Sequence, residues 1–206
     1  SGSKIAANAQ LLRNNHETIE RNYQRLSAMG VSDSKIAANA QLLAMNPETI
    51  ERNYQRLSAM GVRGSTIATN ARLLGRDPET IERNYQHHVK LLRQDYNDRN
   101  SGRELLTMQA HLLGIPPKTI SANVQYLNSI GVYYNNGMLL GTTPQLKRRK
   151  MAWLLREIFD YRNVPENRRH ETIRRLYDFV RENPRYLVFS IATLGRKREK
   201  IRQKIA

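Results

Sequence analysis

Residues 32–62 repeat residues 1–31 at 27 of 31 positions. The four differences are Gly2 against Asp33, Arg13 against Ala44, Asn14 against Met45, and His16 against Pro47. A third copy, 63–93, keeps the frame but drifts after Gln86. Eight inserted residues follow at 94–101. The frame resumes at 102–132, with Leu112-Leu113 in place of Leu42-Leu43 and Gly131-Val132 in place of Gly61-Val62. A fixed period of this kind marks stacked units, each covering its neighbour's apolar face. The expected fold is therefore all-α: an α-solenoid of tandem two-helix repeats curved into a superhelix. Residues 1–132 form its regular part, and residues 133–206 continue it as divergent, basic repeats.

Each repeat reads as two helices. Ser34 is placed to cap the first, whose apolar residues Ile36, Ala40 and Leu43 fall at i, i+4, i+7. Asn46-Pro47-Glu48 starts the second, with Asn as N-cap, Pro at the first helical position and Glu in the first turn. Ile50, Tyr54 and Leu57 then give a buried stripe. Gly61 suits the left-handed residue that ends a helix. Asn22, Asn53, Asn84 and Asn123, with Asn8, Asn39 and Asn70, lie at the edge of the apolar stripes. Bonds to backbone carbonyls between repeats are their expected role, and base reading is the alternative.

Charge narrows the function classes. Lys and Arg number 34 against 18 Asp and Glu, a net +16. Residues 133–206 hold 18 of the basic and 7 of the acidic groups. Such an excess favours a polyanionic partner through counterion release, and nucleic acid is the expected one. A solubility charge or contact with an anionic membrane is the plainer alternative. Arg21, Arg25, Arg52, Arg56 and Arg83 point away from the apolar stripe at 100° per residue and would form a basic ridge along the array. An ordinary solvated face is the competing reading. Lys147, Arg148, Arg149, Lys150, Arg196, Lys197 and Lys200 are expected to contact phosphates. The pairs Arg13-Asn14, Ala44-Met45, Gly75-Arg76 and Gly114-Ile115 vary in one turn ahead of the second helix. That turn is a candidate for ligand recognition, with drift in a tolerant loop as the alternative.

The pattern continues past 132. Leu139-Leu140 before Thr143-Pro144 echoes the paired Leu and capped Pro. Residues 183–205 align on 39–57, matching Asn183 to Asn39, Leu187 to Leu43, Arg196 to Arg52 and Lys200 to Arg56, with Ser190 as the N-cap. With NPRYLVFSIATLGRK, the paired Leu before a capped helix, the closing Gly-Val and a period near 30, the chain resembles the mTERF proteins, named for mitochondrial transcription termination. The resemblance covers 183–206 best and the rest loosely. It implies a right-handed α-solenoid of helical pairs with short 3₁₀ turns, curved into a half-ring. It also implies a basic groove for double-stranded DNA or structured RNA, and an organelle location, mitochondrion or chloroplast. Ala9, Ala40, Ala71 and Ala110 stand where that family often has the Pro seen at Pro184, and a prokaryotic helical-repeat protein of the cytoplasm is the other origin considered.

Other chemistry has no support in the sequence. No run approaches eighteen apolar residues. With no Cys, disulfides and Cys-based zinc sites are excluded, and an intracellular setting fits. Ser1-Gly2-Ser3 begins without Met, like a cleaved end, which leaves room for a removed targeting segment. His16, His87, His88, His111 and His170 lack metal-ligand spacing. Residues 95–102 do not place Gly at the sixth position of a calcium loop, and an exposed insertion is expected there. No phosphate-cradling Gly-rich loop and no catalytic set appear, so neither an enzyme nor a cofactor is expected. The expected protein is a monomeric, non-catalytic nucleic-acid binder in transcription or RNA metabolism. A protein-interaction scaffold and the targeting arm of a larger nucleic-acid enzyme are the alternatives.

Overall fold

The second helix of the first two repeats is set by signals at both of its ends. In a computed structural model, which describes residues 15–96, 106, 107, 109–133 and 137–205, Asn46 adopts an extended N-cap conformation. Its Oδ1 accepts from the Glu48 backbone N–H at 2.8 Å. Asn15 does the same for Glu17 at 3.0 Å. At the other end Gly61 sits at φ 88°, Gly61 N–H donates to Ser58 C=O, and Val62 N–H donates to Leu57 C=O. This is a Schellman closure, and Gly30 and Gly131 repeat it. It brings Val31, Val62 and Val132 into the core. These signals bound α1 (His16–Ala28) and α3 (Pro47–Ala59). The third copy lacks Gly at the equivalent position, Leu92, and α5 (Pro78–Tyr96) runs on through it. Residues 94–96, expected in an exposed insertion, therefore continue a helix. Residues 97–101 lie outside the described residues.

The first helix of the second and third repeats differs from expectation. α2 (Asp33–Ala38) starts from Ser32, not Ser34, and stops at Asn39, whose backbone leaves the helical region at φ −126°, ψ 41°. Asn39 Nδ2 bonds Lys35 C=O at 2.8 Å within its own helix, not a carbonyl of another repeat. Asn70 and Asn183 cap their own helices in the same way. An Asn that satisfies the backbone locally removes the incentive to extend the helix. A 3₁₀ turn, Ala40–Ala44, follows. At three residues per turn it rotates Leu42 inward instead of Leu43: Leu42 is fully buried and Leu43 half-buried. The third copy repeats the break with α4 (Gly64–Thr69) and a 3₁₀ turn at Ala71–Gly75, and the fourth has a 3₁₀ turn at Ala110–Gly114.

The described residues are all-helical, with no strand among them, and their eleven α-helices pack on their neighbours. The chain divides into two compact units, Ser1–Pro116 and Pro117–Ala206. The division falls inside the fourth sequence repeat. In the first unit α1, α3 and α5 lie side by side, and each packs on the 3₁₀ turn of the following repeat. The second unit holds α6 (Pro117–Ser129), α7 (Gly137–Gly141), α8 (Pro144–Glu157), α9 (Arg169–Glu182), α10 (Ile191–Arg196) and α11 (Arg198–Ile205). α7 takes the place that a 3₁₀ turn holds elsewhere. Two 3₁₀ turns flank Pro165, and the expected last helix breaks at Lys197 into α10 and α11. No helix of the described residues is long and apolar enough to cross a membrane.

Candidate functional site

The buried face of α3 is not the expected Ile50, Tyr54 and Leu57. Ile50, Asn53 and Leu57 are fully buried, and Tyr54 is only half-buried. Asn53 is a joint. Its Nδ2 donates to Leu74 C=O at 2.8 Å and Arg76 C=O at 2.7 Å in the next repeat. Asn22 donates to the carbonyls of Leu42, Leu43 and Met45. Asn84 donates to Leu113 C=O at 2.8 Å, and Asn123 to Leu140 C=O at 2.7 Å. The carbonyl-bonding role expected for these four asparagines is what the structure shows. The reason is geometric: the short paired-Leu turns leave most of their carbonyls without backbone partners, and a short amide on the facing helix reaches them.

Two residues expected to contact phosphates point into the protein instead. Lys147 and Lys150 are buried, at 0% and 2% exposure. Lys150 Nζ donates to Leu187 C=O at 2.6 Å and Val188 C=O at 3.1 Å. It stands seven residues after the cap Thr143, as Asn53 stands seven after Asn46, so it is the asparagine joint rebuilt with an ammonium. Lys147 Nζ donates to Asn123 Oδ1 and Thr142 C=O. Among the described residues no carboxylate lies within ion-pair distance of either, and desolvation is the larger cost. It lowers the Lys147 pKa to about 7, with the neighbouring Lys150 charge adding to the effect, and burial also lowers that of Lys150. The seven-residue offset from the cap was the signal that charge obscured.

His88 is a third donor that sequence reading passed over. It is fully buried, and with its proton on Nε2 it donates to Leu112 C=O and Ile115 C=O, each at 3.2 Å. Burial holds its pKa down near 4, against a smaller opposite effect of those two bonds. Its Nδ1 and the Oδ1 atoms of Asn22, Asn53 and Asn84 are buried without a protein partner.

The basic ridge of the first unit is partly engaged. Arg25 is engaged within the protein: its guanidinium donates to Pro47 C=O at 2.8 Å and lies 3.9 Å from Glu51, tying α1 to α3. Arg21 pairs with Glu17 at 2.7 Å. Arg83 reaches Thr80 Oγ1 at 3.4 Å. Exposed Arg52 and half-buried Arg56 line an open cleft of about 550 Å³ with Glu82 and Tyr85. In the second unit Arg148, Arg149, Arg196, Lys197 and Lys200 are exposed, and among the described residues none lies within ion-pair distance of a carboxylate. Arg148 stacks over Tyr126 at 5.5 Å.

The variable turn has a packing explanation. A Cβ on Gly75 would lie 2.7 Å from Leu42 Cδ2 and 3.1 Å from Met45 Sδ, and one on Gly114 would lie 3.4 Å from Leu73 Cδ2. The turns at Gly75 and Gly114 each lie against the turn before, and at Gly75 the contact leaves no free room for a Cβ. At the second position Met45, Arg76 and Ile115 present a carbonyl to Asn22, Asn53 and His88. The backbone makes the contact there, so the side chain is free to change. Arg13 and Asn14 lie outside the described residues.

Comparison with models of known protein families, with characterised proteins and with solved structures finds no match. The site therefore rests on its own geometry. Two classes of basic group are present: buried donors that hold carbonyls across repeats, and exposed, uncompensated cations concentrated in the second unit.

Proposed function

We propose that this chain is a non-catalytic, nucleic-acid-binding α-solenoid, monomeric, whose exposed carboxy-terminal cations hold the phosphates of duplex DNA or structured RNA. The observation that carries the reading is the set Arg148, Arg149, Arg196, Lys197 and Lys200, exposed and without carboxylate partners in a stretch that holds 18 basic and 7 acidic groups. Uncompensated charge repels itself, and a polyanion relieves that repulsion by releasing counterions. The solenoid part of the proposal is supported by the 31-residue sequence period and by the donor-to-carbonyl joint that recurs from repeat to repeat. The mTERF resemblance points the same way and would place the protein in organellar transcription or RNA metabolism.

The test is a binding panel of duplex DNA, single strands and structured RNA at several salt concentrations. With about five phosphates neutralised, log K on duplex DNA should fall by about 4–5 units per decade of salt. Arg148→Ala with Arg149→Ala should weaken binding to every sequence alike and flatten that slope. A slope near zero would overturn the reading in favour of a protein-interaction scaffold.

A further inference from the structure

The carboxy-terminal end of the second unit holds a small cleft of about 180 Å³, lined by Arg185, Tyr186, Phe189, Lys197, Lys200, Ile201 and Lys204. Four of its seven lining residues are cations, and none is an acid. Two carboxylates of the second unit are engaged with other cations: Glu199 with Arg202 at 3.5 Å, and Glu157 with Arg156 and Arg198. Lys200 and Lys204 stand at i, i+4 on α11, where like charges are mutually destabilising.

The floor of the cleft is fixed. Phe159, Phe179, Tyr186 and Phe189 form a chain of ring contacts, with centroids 5.2–6.0 Å apart. Lys197 lies over Phe189 at 5.5 Å and Arg185 over Tyr186 at 5.6 Å. These contacts hold two of the cations at the cleft before any ligand arrives. Four charges converge on one small volume, not along a groove. A diester tract carries one charge per phosphate and spreads it. A phosphate monoester gathers about two negative charges and three acceptor oxygens in one place.

We infer that this cleft binds a phosphate monoester dianion, and that on the nucleic-acid reading above, on which this source rests, its ligand is the terminal phosphate of a polynucleotide. The experiment compares one duplex with hydroxyl ends, the same duplex with 5′-phosphate or 3′-phosphate ends, a mononucleotide and inorganic phosphate, at constant ionic strength. A phosphorylated end should bind about tenfold more tightly than the hydroxyl end, the effect of one well-placed charged hydrogen bond. The preference should vanish in Lys200→Gln/Lys204→Gln, persist in Lys200→Arg/Lys204→Arg, and shrink as pH falls below about 6, where the monoester gains a proton. Equal affinity for phosphorylated and hydroxyl ends would overturn the inference while leaving the nucleic-acid reading intact. Binding of the mononucleotide or inorganic phosphate without duplex binding, lost in the Gln variant, would sustain the cleft and overturn the polynucleotide source. No response to any phosphorylated probe would overturn the site altogether.

Discussion

Replacing Asn53 separates two accounts of its burial, since an amide that merely fills space and one that donates respond differently. Asn53→Leu keeps a side chain of similar length and removes both bonds, at 2.8 and 2.7 Å. A buried carbonyl left without a donor costs about 1–3 kcal/mol. Leu74 C=O is buried and carries that cost in full, whereas Arg76 is exposed and water can reach its carbonyl. Relief of the unpartnered Asn53 Oδ1 offsets part of the loss. The net should be a destabilisation at the low end of that range, about 1 kcal/mol. Asn53→Asp is the sharper arm. An ionised carboxylate there would only accept, and it would face two carbonyl oxygens, so at neutral pH it should be worse than Leu. Such a buried carboxyl has its folded pKa raised above the unfolded value. The penalty is therefore absent below the unfolded pKa of about 4 and grows as pH rises above it. Urea denaturation of the wild type and both variants at about pH 4 and 7 measures this, with exposed Arg52→Ala as a control expected within about 0.5 kcal/mol. If Asn53→Asp is no worse than Asn53→Leu at neutral pH, the amide is not acting as a donor.

Lys147 has a folded pKa of about 7, below its unfolded value, so the unfolded chain holds the extra proton between the two. Stability should therefore rise with pH across that window, by up to about 1.4 kcal/mol per pH unit, and Lys147→Met should flatten the slope between about pH 7.5 and 9.5 in denaturant titrations, with Lys150, whose pKa burial also lowers, supplying the remainder. His88, held near 4, has the same sign of linkage on the acid side: its contribution is complete above about pH 6.5 and is lost toward 4. The loss should be about 3 kcal/mol. His88→Gln, which keeps an N–H donor but cannot titrate, should show a flatter acid limb, and an unchanged limb would mean that His88 is not buried neutral. Leu42→Ala should cost about 2–5 kcal/mol and Leu43→Ala distinctly less, with chemical denaturation reading both. The reverse order would refute the inward rotation assigned to the 3₁₀ turn.

The second helix was legible because its signals are local: Asn46 and Pro47 open it, Gly61 and Val62 close it, and each acts within a few residues. The joint made by Asn53 was legible too, since an amide beside an apolar stripe in every copy needs a partner. The first helix was misread because one residue, Asn39, changes the backbone period from 3.6 to 3.0, and a count of apolar spacing has no way to register that. Lys147 and Lys150 were misread for a different reason. A run of four cations reads as a surface, but on a helix only Arg148 and Arg149 face outward, while the other two point at carbonyls that belong to distant parts of the chain. His88 is hidden in the same way, one residue beyond the point where the third copy loses its match. Of the small carboxy-terminal cleft only Lys197 and Lys200 could be named, because its grouping depends on how α10 and α11 meet the turn at Pro184–Leu187.

A joint whose receiving side is a peptide carbonyl asks nothing of the receiving residue's identity. Leu74 and Arg76 accept from Asn53 through atoms that every amino acid carries. Only the donor is specified, and it travels inside its own repeat. A tandem duplication of such a segment therefore arrives with one matching half already built and the other supplied by any backbone that makes the same turn. No compensating substitution is needed in the neighbour for the copy to seat. The two amino-terminal copies, alike at 27 of 31 positions, have the form that growth by copying would leave. The ammonium that stands at the same offset in Lys150 fits this freedom: the donor's chemistry can differ as long as something there reaches the carbonyl.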